Sequence, residues 1–260
     1  MNENMNKKTK LSPKDLVVLI ACIVFLLMNL GAISENSRRQ AKTIVCQTNL
    51  KKIHQAQFLY LNDNDNFYPS AWNSIVSTKN LYPGYPFYCR WHDSRYPPNG
   101  PIITYLEKDK IALCPTFNDL ARQFGQAHPA HDPSIPIEPQ YSYSMNAFLG
   151  STVFGGVLKL SEITRNKAEV FLFAEENFWL RPGCVYLLND TALCPDGRDW
   201  FGTFHNAPNN NLNAGTINAV FVDGHVQQVC TALKADPSNT SEMEFGIFEK
   251  YGWPFKEPYR

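Results

Sequence analysis

The chain has 260 residues, and its 24 Lys and Arg are matched by 24 Asp and Glu, for a formal net charge of zero. That balance, with no basic stripe, excludes an electrostatic footprint for nucleic acid. Twelve Tyr, 17 Phe and 18 Pro indicate a well-filled core interrupted by fixed turns, and argue against a disordered tail.

Residues 1–15 read as a cytoplasmic leader-like segment carrying Lys7, Lys8, Lys10 and Lys14. Residues 16–33 (LVVLIACIVFLLMNLGAI) contain no Asp, Glu, Lys or Arg. At 1.5 Å per residue such a run comes close to a hydrocarbon core of about 30 Å. The expectation is a single-pass inner-membrane helix, with the N-terminus cytoplasmic and the body periplasmic or at the cell surface. Lys and Arg flank both ends, Arg38, Arg39 and Lys42 lying beyond the run, so charge does not orient it. A cleaved signal peptide is the competing reading. Gly31, Ala32 and Ser34 do not make a clean small-x-small site, but cleavage there would release a secreted soluble body. Residues 34–61 contain neither Pro nor Gly, and Cys46, Leu50, Ile53 and Leu61 share one helical face with the stem of Gln57. Lys51, Lys52 and Gln55 lie elsewhere on the wheel. Residues 34–62 therefore continue the helix as an amphipathic segment, with Pro13 near its start and a stop at Asn62-Asp63-Asn64-Asp65-Asn66, before Pro69.

The body spans 63–260. Turns are expected at Tyr82-Pro83-Gly84 and Tyr96-Pro97-Pro98-Asn99-Gly100, a short helical stretch at 102–106, a strand-like stretch at 111–113, and a proline-stiffened loop over 124–140. Residues 170–174 and 217–222 read as strands, and 221–229 as a hairpin turning at Asp223-Gly224. An antiparallel sheet packed on helix 34–61 would bury Leu50 and Ile53, giving an α+β fold.

Of the 7 cysteines, Cys22 lies in the apolar run and reads as a free, buried thiol. Cys46, Cys89, Cys114, Cys184, Cys194 and Cys230 form an even set that fits a disulfide framework, with 15 possible pairings. Cys184 with Cys194 is the most local pair, and Cys46 with Cys114 would tie the helix to the sheet; scattered reduced thiols are the alternative. No C-x-x-C occurs. His205, Asp223 and His225 are of the types that bind zinc, and Asp63 with Asp65 offers oxygens suited to calcium, without the glycine and distal glutamate of an EF-hand. The simpler reading is that Asp63 and Asp65 stop a helix, Asp223 caps its turn and the histidines fill polar gaps. Glu175-Glu176, His92-Asp93 and His131-Asp132 have no nucleophile at motif spacing, and there is no G-x-S-x-G, H-E-x-x-H or phosphate loop. No enzymatic activity and no cofactor are expected. Phe178, Trp179, Trp200 and Phe201 flank the 184–194 segment and read as core or a contact surface.

Several segments occur in a family's order. They are Leu11-Ser12-Pro13-Lys14-Asp15 running into the apolar helix, Cys46-Gln47-Thr48-Asn49-Leu50-Lys51-Lys52-Ile53, Tyr60-Leu61-Asn62-Asp63, Cys114-Pro115-Thr116, Tyr143-Ser144-Met145-Asn146 and Asn218-Ala219-Val220-Phe221-Val222-Asp223-Gly224-His225-Val226. Together they resemble prepilin-like proteins related to type II secretion pseudopilins, with a C-terminal His-x(9)-Asp-Gly motif. The resemblance implies a pilin-like fold, a long N-terminal helix on a C-terminal antiparallel sheet. It also implies a structural role in a type II secretion or type IV pilus-like system, with like subunits, the inner membrane and a prepilin peptidase as partners. Lys10 and Leu11 stand where the family has the glycine and phenylalanine of its cleavage site, and Asp15 keeps the charge of its glutamate. His205 precedes Asp223 by 18 positions, the excess falling in the Asn-rich 206–213 loop. A cell-envelope binding or glycan-processing module is the alternative function.

Overall fold

The computed structural model describes residues 12–77, 91–106, 110–124, 134–177, 191–195, 199, 201–212, 214–230 and 248–259, without the side chains of 30–36 and 210. Lys10, Leu11, Cys89, Cys184, His131, Asp132, Phe178, Trp179, Trp200 and the turn at Tyr82-Pro83-Gly84 lie outside the described residues. The chain divides into two compact units, Met1–Ala41 and Lys42–Arg260, so the boundary falls inside the expected amphipathic segment rather than at its end.

Helix α1 spans Pro13–Asp63. Its start is a reciprocal cap: the Asp15 N–H donates to Ser12 Oγ at 3.2 Å, and the Ser12 N–H donates to Asp15 Oδ2 at 3.0 Å. Pro13 takes the first turn, where no N–H is needed. Hydrogen bonding to Ser12 holds the Asp15 carboxyl below its ordinary pKa. The apolar side chains of 16–28 are exposed, from 47% at Leu19 to 67% at Val17, and Cys22 is an exposed thiol rather than a buried one. Among the described residues no helix is long and apolar enough to cross a membrane. The described apolar side chains, 16–28, cover about 20 Å at 1.5 Å per residue, against a hydrocarbon core of about 30 Å. This corrects the expectation of a single-pass inner-membrane protein with a periplasmic body.

In the second unit, the α1 stripe is buried as its period requires. Cys46, Leu50, Ile53 and Gln57 are 0% exposed and Leu61 3%, while Lys51, Lys52 and Gln55 face outward. Burying Leu50 and Ile53 stabilises the fold by about 1.5–3 kcal/mol each. The helix ends where Asp65 (φ 52°) and Asn66 (φ 61°) turn left-handed, a conformation short polar side chains tolerate. Gln57 is an exception to good burial: neither atom of its amide has a hydrogen-bond partner among the described residues. Replacing it with the similarly shaped methionine removes that desolvation cost of about 1–3 kcal/mol. Gln57→Met is therefore expected to raise the melting temperature by about 2–12 °C, measured by thermal denaturation.

The body is α+β with a five-stranded mixed sheet. The strands are β1 (Tyr143–Asn146), β2 (Phe171–Glu175), β3 (Ala192–Leu193), β4 (Thr216–Phe221) and β5 (Val226–Cys230), ordered β3-β1-β2-β4-β5. β1 and β3 are parallel, and the other neighbours antiparallel. The expected strands at 170–174 and 217–222 match β2 and β4 within a residue. The expected hairpin is present: Val220 pairs with Val226, and the Gly224 N–H donates to Phe221 O at 2.8 Å. Gly224 has φ +90°, and a Cβ there would lie 2.6 Å from the His54 ring, so both backbone and space demand glycine. The 111–113 stretch is a turn rather than a strand, closing through Leu113 N–H to Lys110 O at 3.3 Å. Helix α2, Pro115–Phe124, follows it directly.

Both sheet faces are covered. One packs with α1, through Tyr143, Met145, Leu172, Phe173 and Val220. The other packs an aromatic layer of Phe148, Phe171, Phe201, Phe221 and Phe248. On the α1 side, Gln47 Nε2 donates to Asn218 Oδ1 at 3.2 Å and Lys51 Nζ to Gly224 O at 2.5 Å, and His54 Nε2 bonds Val222 O at 3.1 Å. The β2–β4 register shifts between Phe171 and Phe173. Phe171 lies in the aromatic layer, yet Leu172 and Phe173 both join the α1 side. The bulge reverses the alternation and turns Glu175 toward α1.

Candidate functional site

Four elements deliver four titratable side chains to one point. Cys46 comes from the α1 stripe, Cys114 from the residue before α2, Glu175 from the end of β2, and His205 from a bridge to Thr216 at the start of β4. Their ligand-type atoms all lie within 4.8 Å of one another. Cys46, Cys114 and Glu175 are 0% exposed and His205 2%.

Cys46 Sγ donates to Glu175 Oε1 at 2.8 Å, and His205 Nε2 meets the same oxygen at 2.6 Å. Cys114 Sγ lies 3.6 Å from His205 Nε2. Around them, the Asn218 N–H donates to Glu175 Oε2 at 2.8 Å and Asn218 Nδ2 to Cys46 Sγ at 3.3 Å. Thr43 Oγ1 is 3.4 Å from His205 Nδ1, and the Cys114 N–H donates to Ser142 Oγ at 2.8 Å. Burial pushes the Cys46 thiol well above its ordinary pKa, with Cys114 and Glu175 adding to it. Burial also acts upward on Cys114, but its contacts with Cys46 and His205 outweigh that and bring it down. Burial is the largest single effect on His205 and opposes its charge, yet the Glu175 carboxylate and Cys114 together outweigh it and raise the pKa to about 10.

The other expected sites are placed apart. Asp223 and His225 sit at the opposite end of β4 from His205, so the three do not converge. Instead the His225 N–H donates to Asp223 Oδ1 at 3.0 Å, and the imidazole bonds the same oxygen at 2.6 Å. Those bonds account for the lowered Asp223 pKa against the opposing effect of burial. Asp223 therefore caps its turn, and His225 stacks on Phe221 with centroids 4.4 Å apart. Asp63 accepts from the Tyr105 hydroxyl at 2.9 Å, and neither it nor Asp65 belongs to a group of converging ligands among the described residues. Cys46, Cys114 and Cys230 are free thiols, and Cys46 with Cys114 are neighbours without being bonded.

Glu175 and Glu176 do not form the solvent-open carboxylate pair that glycan hydrolysis needs. Glu175 is in the buried cluster, and Glu176, 0% exposed, accepts from the Ser144 hydroxyl. A cleft of about 1330 Å³ beside α1 and α2 has Glu138 as its one carboxylate among the described lining residues. Sequence reasoning named His205 as a ligand and joined Cys46 with Cys114, but gave them different partners and overlooked Glu175 as theirs. Comparison with protein-family models, curated proteins and solved structures finds no match for this chain.

Proposed function

We propose that this chain is a pilin-like structural subunit that works by packing the N-terminal part of α1 against the same helix of further copies, and not by catalysis. The observation that carries this reading is the exposure of every large apolar side chain described over 16–28. A helix apolar on all faces is stable only when surrounded, and each such side chain buried contributes about 1.5–3 kcal/mol. No charge interrupts that stretch to select a differently charged partner, which favours like helices. The resemblance of the flanking segments to prepilin-like proteins points the same way, as does the α+β body with a long N-terminal helix. The deep burial of Glu175 and His205 supports a non-catalytic role, because no substrate reaches them without opening the core.

The reading is tested by native mass measurement of the full chain beside Leu19→Asp/Val24→Asp. Wild type is expected to form species of several copies, and the double variant to remain a folded single copy. A single-copy wild type across the accessible concentration range would overturn it.

A further inference from the structure

We propose that Cys46, Cys114, Glu175 and His205 form a structural zinc site that fastens α1 and the start of α2 to the sheet. The inference concerns the body alone and stands independently of the assembly reading. Two sulfurs, one imidazole nitrogen and one carboxylate oxygen suit a borderline ion of tetrahedral preference, and four protein donors in a closed site match structural zinc. Hard cations such as calcium would want more oxygens.

The geometry is close to that of a loaded site. With Zn–S of about 2.3 Å and Zn–N of about 2.0–2.1 Å, the sulfur–nitrogen edge of a tetrahedron is about 3.6 Å, and Cys114 Sγ to His205 Nε2 is 3.6 Å. The contacts of Glu175 Oε1, 2.8 Å to Cys46 Sγ and 2.6 Å to His205 Nε2, are shorter than the corresponding edges of about 3.4–3.6 Å. Loading therefore asks Oε1 to draw back by about 1 Å. Its partner oxygen is meanwhile steadied by the Asn218 N–H.

The surrounding groups are those that orient metal ligands. Thr43 Oγ1 lies 3.4 Å from Nδ1, placed to take a hydrogen bond from Nδ1–H in the tautomer that, once Nε2 gives up its proton on loading, turns the Nε2 lone pair to the metal. Asn218 Nδ2 donates to Cys46 Sγ, a bond that favours thiolate. The ligands bind deprotonated, so metal entry releases their protons to solvent.

A catalytic thiol fits less well. In a nucleophile–base–orienter relay the imidazole bridges through its two different nitrogens, whereas here both Cys114 and Glu175 meet Nε2. A Cys46–Cys114 disulfide would consume two of the donors and leave Glu175 and His205 as a bare buried pair.

The test uses the full chain, produced with zinc available and purified without chelator. One zinc per chain is expected by elemental analysis, and cobalt(II) added after zinc removal should show tetrahedral visible bands with thiolate charge transfer. Cys46→Ser and Cys114→Ser should lose the metal, Asn218→Ala should weaken zinc binding by about 10–100-fold, and Cys194→Ser and Cys230→Ser should keep it. Should the ligand variants fail to fold, zinc protection of Cys46 and Cys114 from alkylation, read on wild type by peptide mass, supplies the same answer. Octahedral cobalt spectra with no retained zinc, or a metal-free Cys46–Cys114 disulfide peptide, would overturn the proposal.

Discussion

His205→Ala is expected to lower folding stability by about 3–5 kcal/mol, the cost of breaking a buried charge pair from one side. In a domain of this size that corresponds to a fall in melting temperature of roughly 10 °C. His205 is 2% and Glu175 0% exposed. Without the imidazole, the carboxylate keeps the Asn218 N–H on one oxygen but has only a thiol facing the other. With all three proteins freed of metal, the double variant Glu175→Gln/His205→Gln removes both charges and should recover part of the loss, because desolvating two neutral amides costs less than stranding one anion. Thermal and denaturant unfolding of the three proteins checks this. A His205→Ala protein within 1 kcal/mol of wild type would show that the pair is not coupled as its 2.6 Å contact implies.

The second large effect belongs to Asn146, at the end of β1. Its amide is 0% exposed, donates to Phe171 O at 2.9 Å and Gly252 O at 2.8 Å, and accepts the Phe148 N–H at 3.0 Å. One side chain thus joins β1, β2 and the C-terminal segment. Asn146→Leu keeps the shape but leaves a backbone donor and two carbonyls unpaired in the core. At about 1–3 kcal/mol per stranded group the expected cost is roughly 3–9 kcal/mol. Denaturant unfolding gives the magnitude, and faster amide exchange at Phe148 would locate it. Unchanged exchange at Phe148 would contradict the bonding described.

What could be read from the sequence was local. The stripe of Cys46, Leu50, Ile53, Gln57 and Leu61 obeys a helical period, so its burial follows from spacing alone. The Asp223-Gly224 hairpin is encoded within a few residues, as are β2 and β4. Other features depend on distant chain. The two-residue β3 exists only through its parallel pairing with β1, and β1 is buried on both faces, which removes the alternation that would reveal it. Helix α2 did carry a local signal, Pro115 at its first position with Phe117 and Ala121 one turn apart and both buried. The cap pairing Ser12 with Asp15 was likewise legible as S-x-x-D. The buried cluster was not. Its members come from four separate elements with no motif spacing, and Glu175 reaches the α1 side only because the bulge at 171–173 reverses the β2 alternation. Asp223 and His225 misled for the opposite reason: close in sequence to His205 by motif, they are held apart by the length of β4.

The most direct test of helix-to-helix assembly uses Cys22, an exposed thiol within the apolar stretch. A short bis-maleimide added to the native full chain is expected to give a covalent dimer that disappears in Cys22→Ser. A wild type that yields no dimer, or a Cys22→Ser protein that yields as much, would contradict the packing of this helix against its copies.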